Sequence, residues 1–317
     1  IRSRSGDRDG VILDGAYQST EIITVAASEV TLADITIKNA YTHAIHVVST
    51  DQGDTLDTLI YNVHVVDSRE QAIKINPHRA KIHFTDGGTV ACSHLELTDS
   101  GRPRVNTAHG GCYTGGVDAH QSRGWTIRDN RIEGFWCPSG LAEHGVHMWR
   151  GCRDTVVERN RFVDNARAVG FGMADSGTAR VYSDDPCPYT GYLGHYGGMV
   201  RNNFIFASRP ELLSTPNALD CGICFWSACE ARALHNTVVS TGNAVSAIEW
   251  RFAGSVGIEI TNNLVTHRLG RAVREPERRS RRPFAVVRGP ERGRPAPDSG
   301  RQLRHRPGRY RRRQRLP

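Results

Sequence analysis

The chain has 317 residues and a formal net charge of +8, long enough for one large domain or two small ones. From Arg268 onward there are 18 Arg, no Lys and four acidic residues, a net +14, so the rest of the chain stands at −6. A basic chain usually suggests nucleic acid, but here the net basicity is confined to the tail, and no apolar run approaches the ~18 residues of a helical membrane span.

In chain order, the sequence opens on Ile1-Arg2-Ser3, and GVILDG (10–15) already reads as a strand in mid-repeat. A truncated N-terminus is expected, with any targeting signal lying upstream. From there a short signature recurs eight times: an apolar strand, a polar corner, then a second apolar strand. The corners read as Asp34, Asn62, His94, Asn130, Asn160, Asn203, Asn236 and Asn263, at intervals of 27 to 43 residues. Asn tolerates the left-handed backbone a sharp corner needs, and Asn side chains stacked from coil to coil can form a ladder. GWTIRDN repeats as DTVVERN, and NRIEGF as NRFVDN.

A third strand follows in each unit: AIHVV, AIKIN, GVDAH, GVHMW, AVGFG, GICFW and AIEWR. Helical periodicity and Asn-Gly hairpin signals are both absent. Three short strands per unit then predict an all-β solenoid with parallel strands stacked coil on coil. These units, with the opening IRSRSGDRDGVILDG, resemble the pectate-lyase-like superfamily, closest to its alginate-lyase and chondroitinase-B-like group. The resemblance covers about residues 1–266. It implies a single-stranded right-handed parallel β-helix on a scaffold that hosts lyases, hydrolases, epimerases and adhesins.

Side chains alternate along a strand. In the third strand the apolar positions, such as Ile73 and Ile75 or Val146 and Met148, are expected to face inward. Two outward columns remain. The first is His46, Lys74, Asp118, His147, Gly170, Cys224 and Glu249; the second is Val48, Asn76, His120, Trp149, Gly172, Trp226 and Arg251. With coils about 4.8 Å apart, His46, Lys74, Asp118, His147 and His120 gather in one titratable patch, the candidate catalytic group. Asn76, Trp149, Trp226, Arg251 and Glu249 are candidate substrate contacts, the indoles as platforms for sugar rings. Insertions at 99–115, 173–197 and 208–219 flank third strands and are expected to wall a groove; the middle one carries Tyr182, Tyr189, Tyr192, Tyr196 and His195.

Glycoside hydrolysis needs two carboxyls about 5–9.5 Å apart, whereas Asp118 and Glu249 stand about 19 Å apart at the coil spacing. β-Elimination from a uronic acid needs a base, a cation for the developing enolate and an acid for the leaving oxygen. Lys74 is the candidate base or carboxylate neutraliser, His120 or His147 its acid/base partner, and Asp118 the group orienting one of them. The resemblance implies a Lys and an Arg acting with Ca²⁺; Arg150 or Arg123 are the placements open for the Arg, and Ca²⁺ is left open as a cofactor. A metal on His120, His147 and Asp118 is a minor alternative. The reading is therefore a lyase acting on an acidic, uronate-containing polysaccharide. Its alternatives are a non-catalytic carbohydrate-binding or surface β-helix, and an epimerase or hydrolase on the same scaffold. Nucleic acid and membrane are not expected partners, and a monomer is expected.

Eight Cys, several of them in loops, suit disulfides in a secreted or periplasmic protein, with buried free thiols the alternative; Cys221 and Cys224 are a lone CxxC. The repeat stops after NNLVTH, and 267–317 holds half of the 14 Pro. A frameshifted reading or a disordered tail is expected there.

Overall fold

The computed structural model describes residues 1–107, 111–138, 141–188, 190–271 and 285–287. Tyr189 and most of the Arg-rich tail lie outside them. The described chain is a parallel β-helix. Its first, second and third strands stack into sheets of eight, ten and nine strands, parallel throughout except for Ala285–Val287, which runs antiparallel at one end of the second sheet. Helix is limited to single turns such as Pro210–Leu213, so no described helix is long enough to cross a membrane.

Alternation explains why these sequences stack. In TIR, TVA and VVE the middle residue points inward, and Ile127 meets Val90 on one side and Val157 on the other. Ile132, Leu95 and Phe162 do the same in the second sheet. These side chains are essentially inaccessible to solvent. Full burial of such a residue contributes about 1.5–3 kcal/mol, and a slip of one residue would turn the whole row outward.

The corners differ from expectation by one position in part of the chain. The left-handed residues are Asp34, Asn62, Cys92, Asp129, Arg159, Asn202, His235 and Asn262, with φ between 50° and 58°. The ladder residue comes next: Ser93, Asn130, Asn160, Asn203, Asn236 and Asn263. Each Asn Oδ1 accepts from the backbone N–H one coil before, as Asn160 does from Asn130 at 3.0 Å. From Asn130 to Asn236 each Nδ2 donates both to a carbonyl and to the next amide oxygen, as Asn160 does to Ile127 O at 2.8 Å and Asn203 Oδ1 at 3.0 Å, while Asn263 donates to two carbonyls, Ala233 O and Thr261 O. His94 is therefore not a corner: it opens a second strand and faces outward. Asp34 and Asn62 hold the left-handed position and pair with each other at 2.8 Å. Backbone bonds such as Arg159 N to Arg201 O at 3.2 Å impose this turn even on residues that do not favour it.

Three disulfides form: Cys112–Cys137, Cys187–Cys229 and Cys221–Cys224. Cys92 and Cys152 remain thiols.

Candidate functional site

The third sheet carries both expected columns in register. His46 pairs with Lys74, Lys74 with Asp118, Asp118 with His147, His147 with Gly170, Gly170 with Cys224 and Cys224 with Glu249. His120 stands beside Trp149, Val48 beside Asn76, and Trp226 beside Arg251.

At the centre is Asp118. The Lys74 ammonium is ion-paired to its Oδ2, and His120 Nε2 lies 3.4 Å from the same oxygen and 3.3 Å from Lys74 Nζ. Trp149 Nε1 donates to Asp118 Oδ1 at 2.8 Å, and His147 Nδ1 lies 3.4 Å from that oxygen. Glu143 Oε2 lies 3.0 Å from His147 Nδ1, while His147 Nε2 meets the Gly172 carbonyl at 3.1 Å. Burial alone would raise the Asp118 pKa, but Lys74, His120 and His147 together hold it well below the usual carboxylate range. Burial alone would lower Lys74, but the Asp118 charge outweighs it and its pKa is raised. His120 is lowered, by burial first, with Asp118 opposing only in part.

Outward does not mean exposed. Lys74 is 4% accessible, Asp118 2%, and His147 and Glu249 0%. Lys74, expected as a base, is an ammonium locked beneath the surface by its own counter-ion. Trp226 and Glu249, expected to meet substrate, are covered as well. The Trp226 indole donates to Glu249 at 2.5 Å, and the guanidinium groups of Arg167 and Arg251 each lie 4.7 Å from its ring centre. Arg251 is taken up by Glu249, at 2.8 Å. Trp149 stacks on His147 with centroids 5.1 Å apart and carries Arg150 over its ring at 4.6 Å, so it is no open platform either. The cover comes partly from Glu143 and His144, in the segment leading into the strand that carries His147. His144 lies across Gly170, where any Cβ would come within about 2.5 Å of the imidazole. The insertions flank the sheet. Arg209 reaches Asp99 at 2.6 Å along one side. On the other, Tyr182 donates to Gly151 O at 2.8 Å and Cys187–Cys229 ties the segment down.

What remains open is a groove of about 360 Å³ at one end of this cluster, lined by His46, Asn76, His78, Arg79, Lys81, His120 and Arg150 among others, with no acidic residue in its lining. His46, Asn76 and His120 were expected here. His78, Arg79 and Lys81 were not, because they sit in the short link 77–84 after a third strand, which has no unusual length to mark it. Carboxylates hold two of the lining histidines: Glu21 lies 2.7 Å from His46 Nδ1, and the exposed Asp51 lies 2.8 Å from His78 Nε2. Asn76 Nδ2 meets His46 Nε2 at 3.2 Å. The chemical capacity is recognition of an anion, with one imidazole, His120, kept neutral at its edge.

Several buried histidines make the fold acid-sensitive. Burial, then Lys74, lowers His43 to about 4; burial lowers His195 to about 3 and His144 well below its usual value. In each case the unfolded chain takes up a proton near pH 6.5 that the folded chain refuses. Stability is thus complete above about pH 6.5 and falls as pH drops toward 4, by roughly 1.4 kcal/mol per pH unit for each such group. Melting temperature should fall steadily between pH 7 and 4. A flat profile over that range would contradict the neutral, buried state of these rings.

No protein-family model matches the chain, and no curated protein matches it. Among solved structures, it is similar to the crystal structure of PfbA, a surface adhesin of Streptococcus pneumoniae, at 12% identity and a TM-score of 0.39, over 78% of this chain and 60% of that one. A second structure of the same surface protein and adhesin is similar at 13% identity and a TM-score of 0.33, over 75% of this chain and 66% of that one. The chain thus spans less than two thirds of the length of either PfbA chain.

Proposed function

We propose that the protein is an exported carbohydrate-recognition β-helix that holds an acidic polysaccharide in the groove over the third sheet. The observation that carries this reading is the groove wall. Arg79, Lys81 and Arg150 converge there with His46, His78 and His120, and no carboxylate joins them in the lining. Such a surface favours carboxylate- or sulfate-bearing sugars and steers them electrostatically. Three disulfides suit an oxidising compartment.

A second reading, β-elimination from a bound uronate, is favoured by one specific feature. His120 is held neutral at the groove edge by burial, so it is the group able to accept a proton at neutral pH. Arg150 or Arg79 would then neutralise the substrate carboxylate, and the proton taken up by His120 would pass to the leaving glycosidic oxygen as its bond to the ring breaks. Lys74 takes no proton in this scheme; it fixes Asp118, which positions His120.

Both readings are tested with the full chain and alginate, polygalacturonate, chondroitin sulfate and neutral dextran. Binding is followed by titration calorimetry, and elimination by ultraviolet absorbance of the unsaturated uronate. Binding to one or more acidic glycans and not to dextran is expected, weakening at least ~10-fold in a Lys81→Glu/Arg150→Glu variant, since each lost charge-assisted contact is worth roughly 1.5–3 kcal/mol. Equal binding of dextran, or no effect of the charge reversal, sinks the proposal. Turnover that disappears in His120→Ala while binding persists establishes the lyase; its absence throughout leaves recognition alone.

A further inference from the structure

On the second sheet, away from the groove, four donor side chains are brought together by register alone. His64 and His94 occupy the same outward position on adjacent coils, and Glu96 and Glu133 share the outward position two residues further on. The two imidazoles stack in parallel, centroids 4.6 Å apart and planes within 3°. Each leans diagonally to a carboxylate of the next coil: His64 Nε2 lies 2.8 Å from Glu96 Oε1, and His94 Nε2 lies 2.6 Å from Glu133 Oε1. His94 Nε2 is also 3.9 Å from Glu96 Oε2.

We infer that His64, His94, Glu96 and Glu133 form a binding site for a divalent transition cation of the Zn²⁺ type. Zinc takes imidazole and carboxylate oxygen at about 2.0–2.2 Å in a tetrahedron, which sets its donors roughly 3.3–3.5 Å apart. The separations of 2.6, 2.8 and 3.9 Å straddle that value, and donor atoms of His64, His94 and Glu96 all lie within 4.8 Å of one another, so side-chain rotation would bring these three round one ion with Glu133 as the fourth donor. The donors are accessible, with side-chain exposures between 18% and 22%. Two imidazoles with two carboxylates suit zinc better than calcium or magnesium, which prefer oxygen alone. Arg131 binds the other oxygen of Glu133 at 2.6 Å, orienting that ligand as metal sites commonly do. An adjoining groove of about 260 Å³, lined by Glu96, Asp99, Glu133 and Asp164 with Arg209 the only basic lining residue, offers a cation an acidic approach. Bound metal would tie together the coils beginning at His64, His94 and Arg131.

The test uses the full disulfide-bonded chain, stripped of metal by a chelator and titrated with Co²⁺, then with Zn²⁺ in competition. One Co²⁺ per chain is expected, with the visible bands of tetrahedral nitrogen–oxygen coordination, displaced by Zn²⁺ and accompanied by a higher melting temperature. His94→Ala and His64→Ala should each weaken binding at least ~100-fold, no less than the upper range for losing a supporting outer-shell group. Glu96→Gln, which keeps shape and both imidazoles, should weaken it measurably with an unchanged circular dichroism spectrum, and decides the matter if a His variant fails to fold. Three results would overturn the site: no cobalt spectrum, binding that survives all three substitutions, or a thiolate-to-cobalt charge-transfer band. The last would move the metal to a free thiol, Cys92 or Cys152.

Discussion

Replacing Asp118 by Asn is expected to destabilise the protein by roughly 3–5 kcal/mol, the usual consequence of stripping a buried charge of its partner. Asn keeps the shape and still offers an oxygen to the Trp149 indole, 2.8 Å away. It removes the carboxylate paired with the Lys74 ammonium, a side chain 5% exposed. Either Lys74 stays charged without a counter-ion, or it gives up its proton against a pKa that the native site raises. The cost should be largely recovered in an Asp118→Asn/Lys74→Met double variant, because a buried ion pair replaced as a unit by uncharged groups is often neutral or stabilising. Lys74→Met alone should cost less than Asp118→Asn, since His120 and His147 remain to meet the carboxylate charge. Urea unfolding midpoints decide this. An Asp118→Asn midpoint within experimental error of wild type would mean that the ion pair contributes nothing, and the account of a preorganised His120 would fall with it.

The second large effect is expected in the Asn ladder. Asn160 sits mid-ladder: its Oδ1 accepts from the N–H and Nδ2 of Asn130, both at 3.0 Å, and its Nδ2 donates to Ile127 O and Asn203 Oδ1. Asn160→Ala leaves the Asn130 N–H and the Ile127 carbonyl without these partners in the core, at about 1–3 kcal/mol for each orphaned group. A loss near 3 kcal/mol is expected. Asn160→Asp should be no better, because a carboxylate can replace the acceptor but not the two donated bonds, and it would face the Asn203 Oδ1 acceptor. Arg161→Ala, one residue away and exposed, should change stability by less than ~0.5 kcal/mol. Unfolding by guanidinium compares the three. If Asn160→Ala matches Arg161→Ala, the ladder is an accompaniment of the coils and not a cause of them. Ladder members share partners, so double substitutions within it should not add.

The two effects also separate what could be read from the chain and what could not. Strand period and register were legible. Every pairing in the column from His46 to Glu249 follows from apolar residues at every second position, because a slip of one residue would expose the core row of Ile73, Val117, Val146, Val169 and Ile223. The Asn ladder was legible from Asn130 onward, where identical residues repeat. At His94 it was not: the ladder position there is held by Ser93, whose hydroxyl bonds to Ala91 O at 2.9 Å. A pattern that seeks one residue type passes over such a replacement. That slip hid the His64–His94 pair, which stands out only when both residues are placed on the outer face.

Alternation along a strand thus determined by sequence alone which side chains face the core, which face away, and which stand side by side on neighbouring coils. Only the tertiary structure decided which outward side chains meet solvent. Part of the cover is local, from Glu143 and His144 just before the strand of His147, while inserted segments are held by partners remote in the chain: Arg180 binds Asp86 across 94 residues, and Arg209 binds Asp99 across 110. These contacts have no sequence period. They depend on where each inserted segment lands once the coils have stacked, just as burial within the stacked coils leaves Lys74, Trp226 and Glu249 covered and the His120 edge open.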